Sequence, residues 1–354
     1  MLNRKGAFNR TWSSIGYLAA LVILLVAPLG LSDFRLNLLA KFLAFSIAAL
    51  GLSLTWGYTG ILSLGHGVFF SLGAYAMGMY LKLEASDGSL PDFMEWSGLT
   101  SLPVFWQPFR YFGIAVALGV LVPAVLALFL GFFTFRNRIR GVYFTILTQA
   151  LVIITTTLFI GQQAYTGGTN GVTGYTTIFG HFLSSPETRK GLYYVTAGVL
   201  IGSYLICLVL VKSRFGKVLR AIRDGENRAR FIGYNTAKYQ MFVFSLSAAL
   251  AGMAGMLFVL HVGIISPSMM GIIPSIEMVL WVAVGSRSSL IGAVLGAILM
   301  NSAKSAFSES YPDIWLYFLG ILFVSVTIFM PEGVVGMLKQ WGGKIAKRRI
   351  GDHE

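Results

Sequence analysis

YFGIAVALGVLVPAVLALFLGFFTFRNRIR, residues 111–140, holds 25 residues from Tyr111 to Phe135 without a charge, followed by Arg136, Arg138 and Arg140. A helix of that length rises roughly 37 Å, and the hydrocarbon core of a bilayer is about 30 Å thick. The stretch reads as a membrane-spanning helix that ends in a basic, water-facing loop.

The same form recurs along the chain. Apolar runs lie at Ser13–Ser32, Leu36–Thr55, Gly60–Leu81, Tyr111–Phe135, Val142–Ile160, Leu192–Val211 and Met241–His261. A compound stretch, Gly271–Asn301, is interrupted by Gly285-Ser286-Arg287-Ser288, and a last run covers Ile314–Met330. Of the 354 residues, 56% are hydrophobic and 12% charged. Soluble domains carry about twice that share of charge. The expected fold class is an all-α polytopic membrane protein, with residues 1–354 forming one transmembrane domain.

Basic residues favour cytoplasmic loops, and that bias counts the spans. With residues 1–12 inside, the inner segments carry Arg4, Lys5 and Arg10, then Arg136, Arg138 and Arg140. Residues 212–238 add eight bases against Asp224 and Glu226. The long outer insert 82–110 holds Glu84, Asp87, Asp92 and Glu95 against Lys82 and Arg110. For the basic tail 331–354 to return inside, the compound stretch must cross twice and turn at Arg287. Ten spans with both termini cytoplasmic is the consistent count. The first run is read as a retained span, since Ala27-Pro28-Leu29 is a poor signal-peptide cleavage site. Tryptophans at the outer surface, Trp96 and Trp106, are read as interfacial anchors.

Several classes fall away. The lone cysteine, Cys207, excludes a disulfide framework and a Cys-rich metal site. No GxxxxGK[ST] stretch exists, so the chain has no ATPase core of that kind. The net charge of +13 follows the topology, and nucleic-acid binding is not expected. Neither a cofactor nor a catalytic residue is expected.

The inner segment 213–238, SRFGKVLRAIRDGENRARFIGYNTAK, is read as an amphipathic helix from Gly216 to Ile232. Val218, Ala221, Ile222, Ala229 and Ile232 form its apolar face, and Gly233 is a C-cap. Such a helix can lie on anionic lipid or dock on a protein.

This loop resembles the cytoplasmic coupling loop of permeases in the branched-chain amino acid class of ABC importers. WGYTGILSLGHG (56–67), GGTNG (167–171) and EMVLWVAVG (277–285) are similar to that family too. The insert LPDFMEWSGLTSLPVFWQPF, Leu90–Phe109, looks like that of its urea-transporting branch. The resemblance implies a permease of the bacterial inner (plasma) membrane, a transporter subunit rather than an enzyme. Its partners would be a second, related permease completing the pore, two cytosolic ATP-binding subunits and a periplasmic or extracellular substrate-binding protein. ATP-driven closure of the ATPases would move the Arg220–Gly233 loop, with Arg220, Ala221, Ile222, Arg223, Asp224, Glu226, Ala229 and Gly233 at the contact. The expected substrate is urea or a related small amide, with branched-chain amino acids as the alternative. The sequence departs from the family pattern at Gly225, Asn170, Ser286 and Ser288.

Polar residues inside the apolar runs are the pathway candidates. Gly60, Gly65, Gly67, Gly73 and Gly78, with Ser63 and Ser71, either allow close helix packing or let a small solute approach the backbone. His66 is read as a structural hydrogen bond, with a pathway role as its alternative. Thr145, Thr148 and Gln149 give the fifth span a polar stripe that either faces the cavity or another helix. Glu277 is the acid placed within an apolar stretch, pairing with backbone amides or lining the pore. Gly167–Gly171, with Asn170, is an outer turn or a gate. An ion-coupled carrier would use Glu277 and His66 but leaves the inner loop unexplained. A passive urea channel would work without ATP.

Overall fold

The computed structural model describes residues 22, 24–87 and 89–311, together with 314, 317, 318, 320–322, 324, 325, 333 and 336. Most of the expected last span, the tail after it and the start of the first span lie outside the described residues. Residues 24–30 of that first span are helical.

Nine principal helices occur among the described residues. They are α1 (Asp33–Leu52), α2 (His66–Ala85), α3 (Phe112–Arg136), α4 (Val142–Gly161), α5 (Pro186–Lys212), α6 (Arg214–Phe231), α7 (Thr236–Val262), α8 (Ile272–Gly285) and α9 (Leu290–Ser310). Among the described residues, six segments are long and apolar enough to cross a membrane: α1 with its extension to Tyr58, α3, α4, α5, α7 and α9. The compound stretch divides into α8 and α9 around Ser286–Ser289. At 14 residues, α8 rises only about 21 Å. A two-residue hairpin, Thr177–Ile178 against His181–Phe182, stands in the loop before α5.

Helix α7 is the hub, packed against α1, α2 and α3. Gly73 of the third apolar run and Gly255 of α7 serve that packing. A Cβ on Gly73 would stand 2.0 Å from the Gly252 carbonyl oxygen, and one on Gly255 1.8 Å from that of Phe70. Small residues at such crossings allow backbone-to-backbone contact, which dispersion forces reward in lipid. By contrast, α3, α4 and α5 keep most of their apolar surface exposed, available to lipid or another subunit.

The loops sort by charge. At one end the Arg136–Arg140 loop, α6 and the turn at Arg287 gather around the end of α1. At the other end, Lys82 pairs with Asp92 at 2.9 Å. Trp106 is buried there and donates from its indole to the Tyr165 carbonyl at 2.9 Å. The insert is thereby bound to the α4–α5 loop, which corrects the reading of Trp106 as a surface anchor; Trp96 is exposed.

Candidate functional site

Two groups of polar residues result, one at the basic end and one deep in the bundle. At the basic end α1 does not stop at Leu52. It continues as a π-helical turn, Ser53–Tyr58, a feature that is rare and common at functional sites. A non-helical segment then runs to Gly65 before α2 begins, with Gly60 at φ +78°.

Side chains from three elements hold this interruption. The Ser53 hydroxyl donates to the Arg287 carbonyl at 3.3 Å, and the Tyr58 hydroxyl to that of Ser288 at 3.2 Å. From α4, Thr145 donates to the Leu62 carbonyl at 3.0 Å and Thr148 accepts from the Leu64 amide at 3.1 Å. Ser63 accepts from the Gly65 amide. The threonine hydroxyls therefore satisfy backbone groups that the broken helix leaves open. Gln149 beside them is half-buried and makes no hydrogen bond among the described residues.

His66 is fully buried at the start of α2, its Nε2 2.7 Å from the Ser247 hydroxyl of α7, against the edges of Phe69 and Phe244. That geometry matches a packing histidine. One residue on, the Gly67 amide donates to the Ser275 hydroxyl at 3.2 Å, joining the first turns of α2 and α8.

Helix α6 lies against the interruption. It is amphipathic but not continuous, because Gly225 leaves helical geometry at φ −176°, ψ 77°. Leu219, Ile222 and Ala229 are buried, whereas Ala221, Phe231 and Ile232 are exposed. Ala221 and Ile232 therefore leave the face expected for them.

The Arg223 guanidinium donates from Nε to Asp224 at 2.8 Å and from Nη1 to the Gly57 carbonyl, also at 2.8 Å. This bond holds the Asp224 carboxyl below the usual carboxylate range. Beyond the kink, Glu226 accepts from Arg230 at 2.7 Å, Thr236 at 2.9 Å and Gln240 at 3.3 Å, with Arg140 at 3.4 Å. One carboxylate thus joins α6, α7 and the α3–α4 loop. Arg220 is exposed and bonds its own helix at Gly216, and Gly233 is exposed at φ +100°.

The second group lies between α1, α8 and α9, in a cavity of about 360 Å³. Glu277, 8% exposed, accepts two hydrogen bonds from the Lys304 ammonium, at 2.6 and 2.7 Å. Lys41 of α1 lines the same cavity, with its ammonium 5.9 Å from the ring centroids of Phe45 and Phe258. Phe42, Phe70, Met278 and Trp281 add further apolar wall, and Asn301, Ser305 and Ser308 line the polar side.

Of the expected pathway residues, Glu277 lines this cavity; Ser63, His66, Thr145, Thr148 and Gln149 do not. Asn170 stands apart, exposed in a turn where Gly167, Gly168 and Gly171 all take positive φ. That turn is built against the chain rather than hanging free: Val172 pairs with Ile265. Sequence reasoning missed Lys41 and Lys304. The signal available was a lysine six residues into the run beginning at Leu36, and another three after the run ending at Asn301.

No group of His, Cys, Asp and Glu able to hold a metal occurs among the described residues.

A family model described as "Branched-chain amino acid transport system / permease component" matches residues 34–327. The chain is 27% identical to the high-affinity branched-chain amino acid transport system permease protein LivM of Escherichia coli K12, covering 91% of this chain and 75% of that protein. LivH of the same organism is 23% identical, over 82% of this chain and 91% of its own length. BraD of Pseudomonas aeruginosa, a permease protein of the same description, is 22% identical over 82% of this chain and 91% of its own length. No solved structure matches the chain significantly.

Proposed function

The chain belongs to the branched-chain amino acid transport permease family, and from that premise we propose that it forms half of the pore of an ATP-driven importer for branched-chain amino acids. It is a membrane transport subunit, not an enzyme. Its pore partner is a second permease of the same family, a pairing supported by its similarity to both LivM and LivH of one organism. Cytosolic ATP-binding subunits supply the energy, and a soluble binding protein delivers substrate from outside.

One observation carries the coupling part of this reading. A basic helix outside the spans, α6, is tied through Arg223 to the interrupted end of a central span. Phe231 and Ile232, 92% and 77% exposed, give that helix an apolar knob suited to a protein groove. We assign Arg220–Gly233 as the ATPase-coupling loop, with the basic end cytosolic, ten spans and both termini inside. Lipid then surrounds α3, α4 and α5 where the second permease does not cover them. Transport proceeds by alternating access as α6 moves.

The substrate reading departs from urea. The relatives above are named for branched-chain amino acids, and the cavity of α1, α8 and α9 combines charged groups with aromatic and thioether walls. A neutral, fully polar solute such as urea uses neither. Labelled leucine and labelled urea uptake, with and without this chain and with ATP depleted, test the proposal. Chain-dependent, ATP-dependent leucine uptake is expected. Urea uptake that leucine does not inhibit would restore the urea branch, and uptake that survives ATP depletion would discard the importer.

A further inference from the structure

We propose that Lys41 is the anchor for the substrate carboxylate, in a subsite formed by the cavity between α1, α8 and α9. The inference rests on the amino acid reading above and assigns that reading to particular atoms. Lys41 lies eight residues into α1, about 12 Å from its start, within an apolar run. Ionised side chains at such depth are costly and are retained facing a partner or a watery cavity.

Lys41 faces the cavity, half-buried. Among the described residues it makes no ion pair or hydrogen bond, and its ammonium rests on the faces of Phe45 and Phe258. The charges that act on it are Lys304 and Glu277, and Glu277 is already held by both short bonds from Lys304. Those three side chains leave one positive charge in excess. Glu309 also lines the cavity and brings the formal charge of the whole lining to zero, but it is exposed, where solvent screens it from Lys41.

The excess charge calls for a small anionic group, and the walls specify what it is attached to. Phe42, Phe70, Met278 and Trp281 favour an aliphatic body over an inorganic anion. A carboxylate offers about four lone-pair sites. Glu277 therefore retains capacity for a substrate ammonium while Lys304 orients it. An aliphatic α-amino acid satisfies all three demands: carboxylate on Lys41, ammonium toward Glu277, side chain on the aromatic and methionine wall. Urea satisfies none of them.

The test uses the full importer complex containing this chain, purified without its binding protein and titrated with labelled leucine. On the unmodified chain, 4-methylpentanoate displaces leucine, whereas leucinamide and urea do not. Lys41→Met weakens leucine binding by about tenfold or more, and Lys41→Arg keeps it within about threefold, since a second cation preserves the pairing. Equal displacement by leucinamide, undiminished binding to the Lys41→Met complex, or no leucine binding to the unmodified complex overturns the subsite. Should Lys41→Met fail to accumulate in the membrane, the competition series on the unmodified chain decides. Leucine uptake in cells separates the two levels: if it does not require this chain, the importer reading fails as well.

Discussion

The Arg223 guanidinium donates a 2.8 Å hydrogen bond to the Gly57 carbonyl, linking a helix outside the spans to the π-helical end of a central one. Gly57 lies in turn against the Arg287 carbonyl, and the Arg287 turn joins α8 to α9. Those two helices carry Glu277 and Lys304. A continuous physical path therefore runs from the basic surface to the cavity. Its use in transport requires that the two ends change together, which measurement decides.

Gly57 is the tightest step of that path. An added Cβ would stand 1.7 Å from the Arg287 oxygen, so Gly57→Ala must push the α8–α9 turn away. Overpacking of this kind costs about 1–3 kcal/mol. The expected outcome is a lower Tm in detergent and reduced leucine uptake per molecule in the membrane. An unchanged Tm would mean that the turn is not clasped there.

Helix packing around α7 gives a second, independent prediction. Gly73→Ala meets the Gly252 backbone at 2.0 Å, whereas a Cβ on Gly198 in α5 meets nothing within 4 Å. Thermal unfolding should shift down for Gly73→Ala and stay put for Gly198→Ala. Equal shifts would show that glycine is chosen at Gly73 for some reason other than close approach.

The Glu277–Lys304 pair should show the asymmetry expected of buried charges. Removing one partner leaves the other uncompensated, so Glu277→Gln or Lys304→Met alone should destabilise the protein. Because Lys304 is 38% exposed, the cost is put at about 1–3 kcal/mol rather than the larger value of a dry pair. The double variant should recover most of that stability while leucine uptake stays low. Additive losses in the double variant would argue against direct pairing.

Glu226 is expected to fix the second half of α6. Glu226→Ala leaves Arg230, Thr236 and Gln240 without their shared acceptor, at about 2 kcal/mol. Hydrogen exchange over residues 226–240 should accelerate for Glu226→Ala and less so for Glu226→Gln, which keeps an acceptor oxygen. Identical exchange in the unmodified protein and Glu226→Ala would remove Glu226 from this role.

Much of this arrangement was legible in the sequence, and the rest failed for identifiable reasons. Long apolar runs marked α1, α3, α4, α5 and α7, because a span must bury its backbone in its own hydrogen bonds. The polar turn at Arg287 marked the division of α8 from α9. The expected start of α2 lies six residues early, since Gly60–Gly65 is apolar enough to continue a helix but is non-helical, its backbone bonded by Thr145 and Thr148. Those threonines were visible as a polar stripe, but hydroxyls that serve a backbone and hydroxyls that line a cavity look alike in sequence. Glu277 stood out by itself. Its partner Lys304, 27 residues on, did not, because a cation at the end of an apolar run also reads as an interfacial anchor. Gly225 stood out as a departure from the family pattern, and the break it makes in α6 shows only in its backbone angles.

The most direct test of the coupling claim joins ATP hydrolysis to transport in one preparation. The complete importer, with either the unmodified chain or Arg223→Ala, is reconstituted in vesicles with ATP and leucine-loaded binding protein. Leucine accumulated per ATP hydrolysed is then measured. The account predicts that Arg223→Ala assembles and hydrolyses ATP but moves about tenfold less leucine per ATP, the size of a typical coupling free energy. Equal leucine per ATP in both preparations would contradict it.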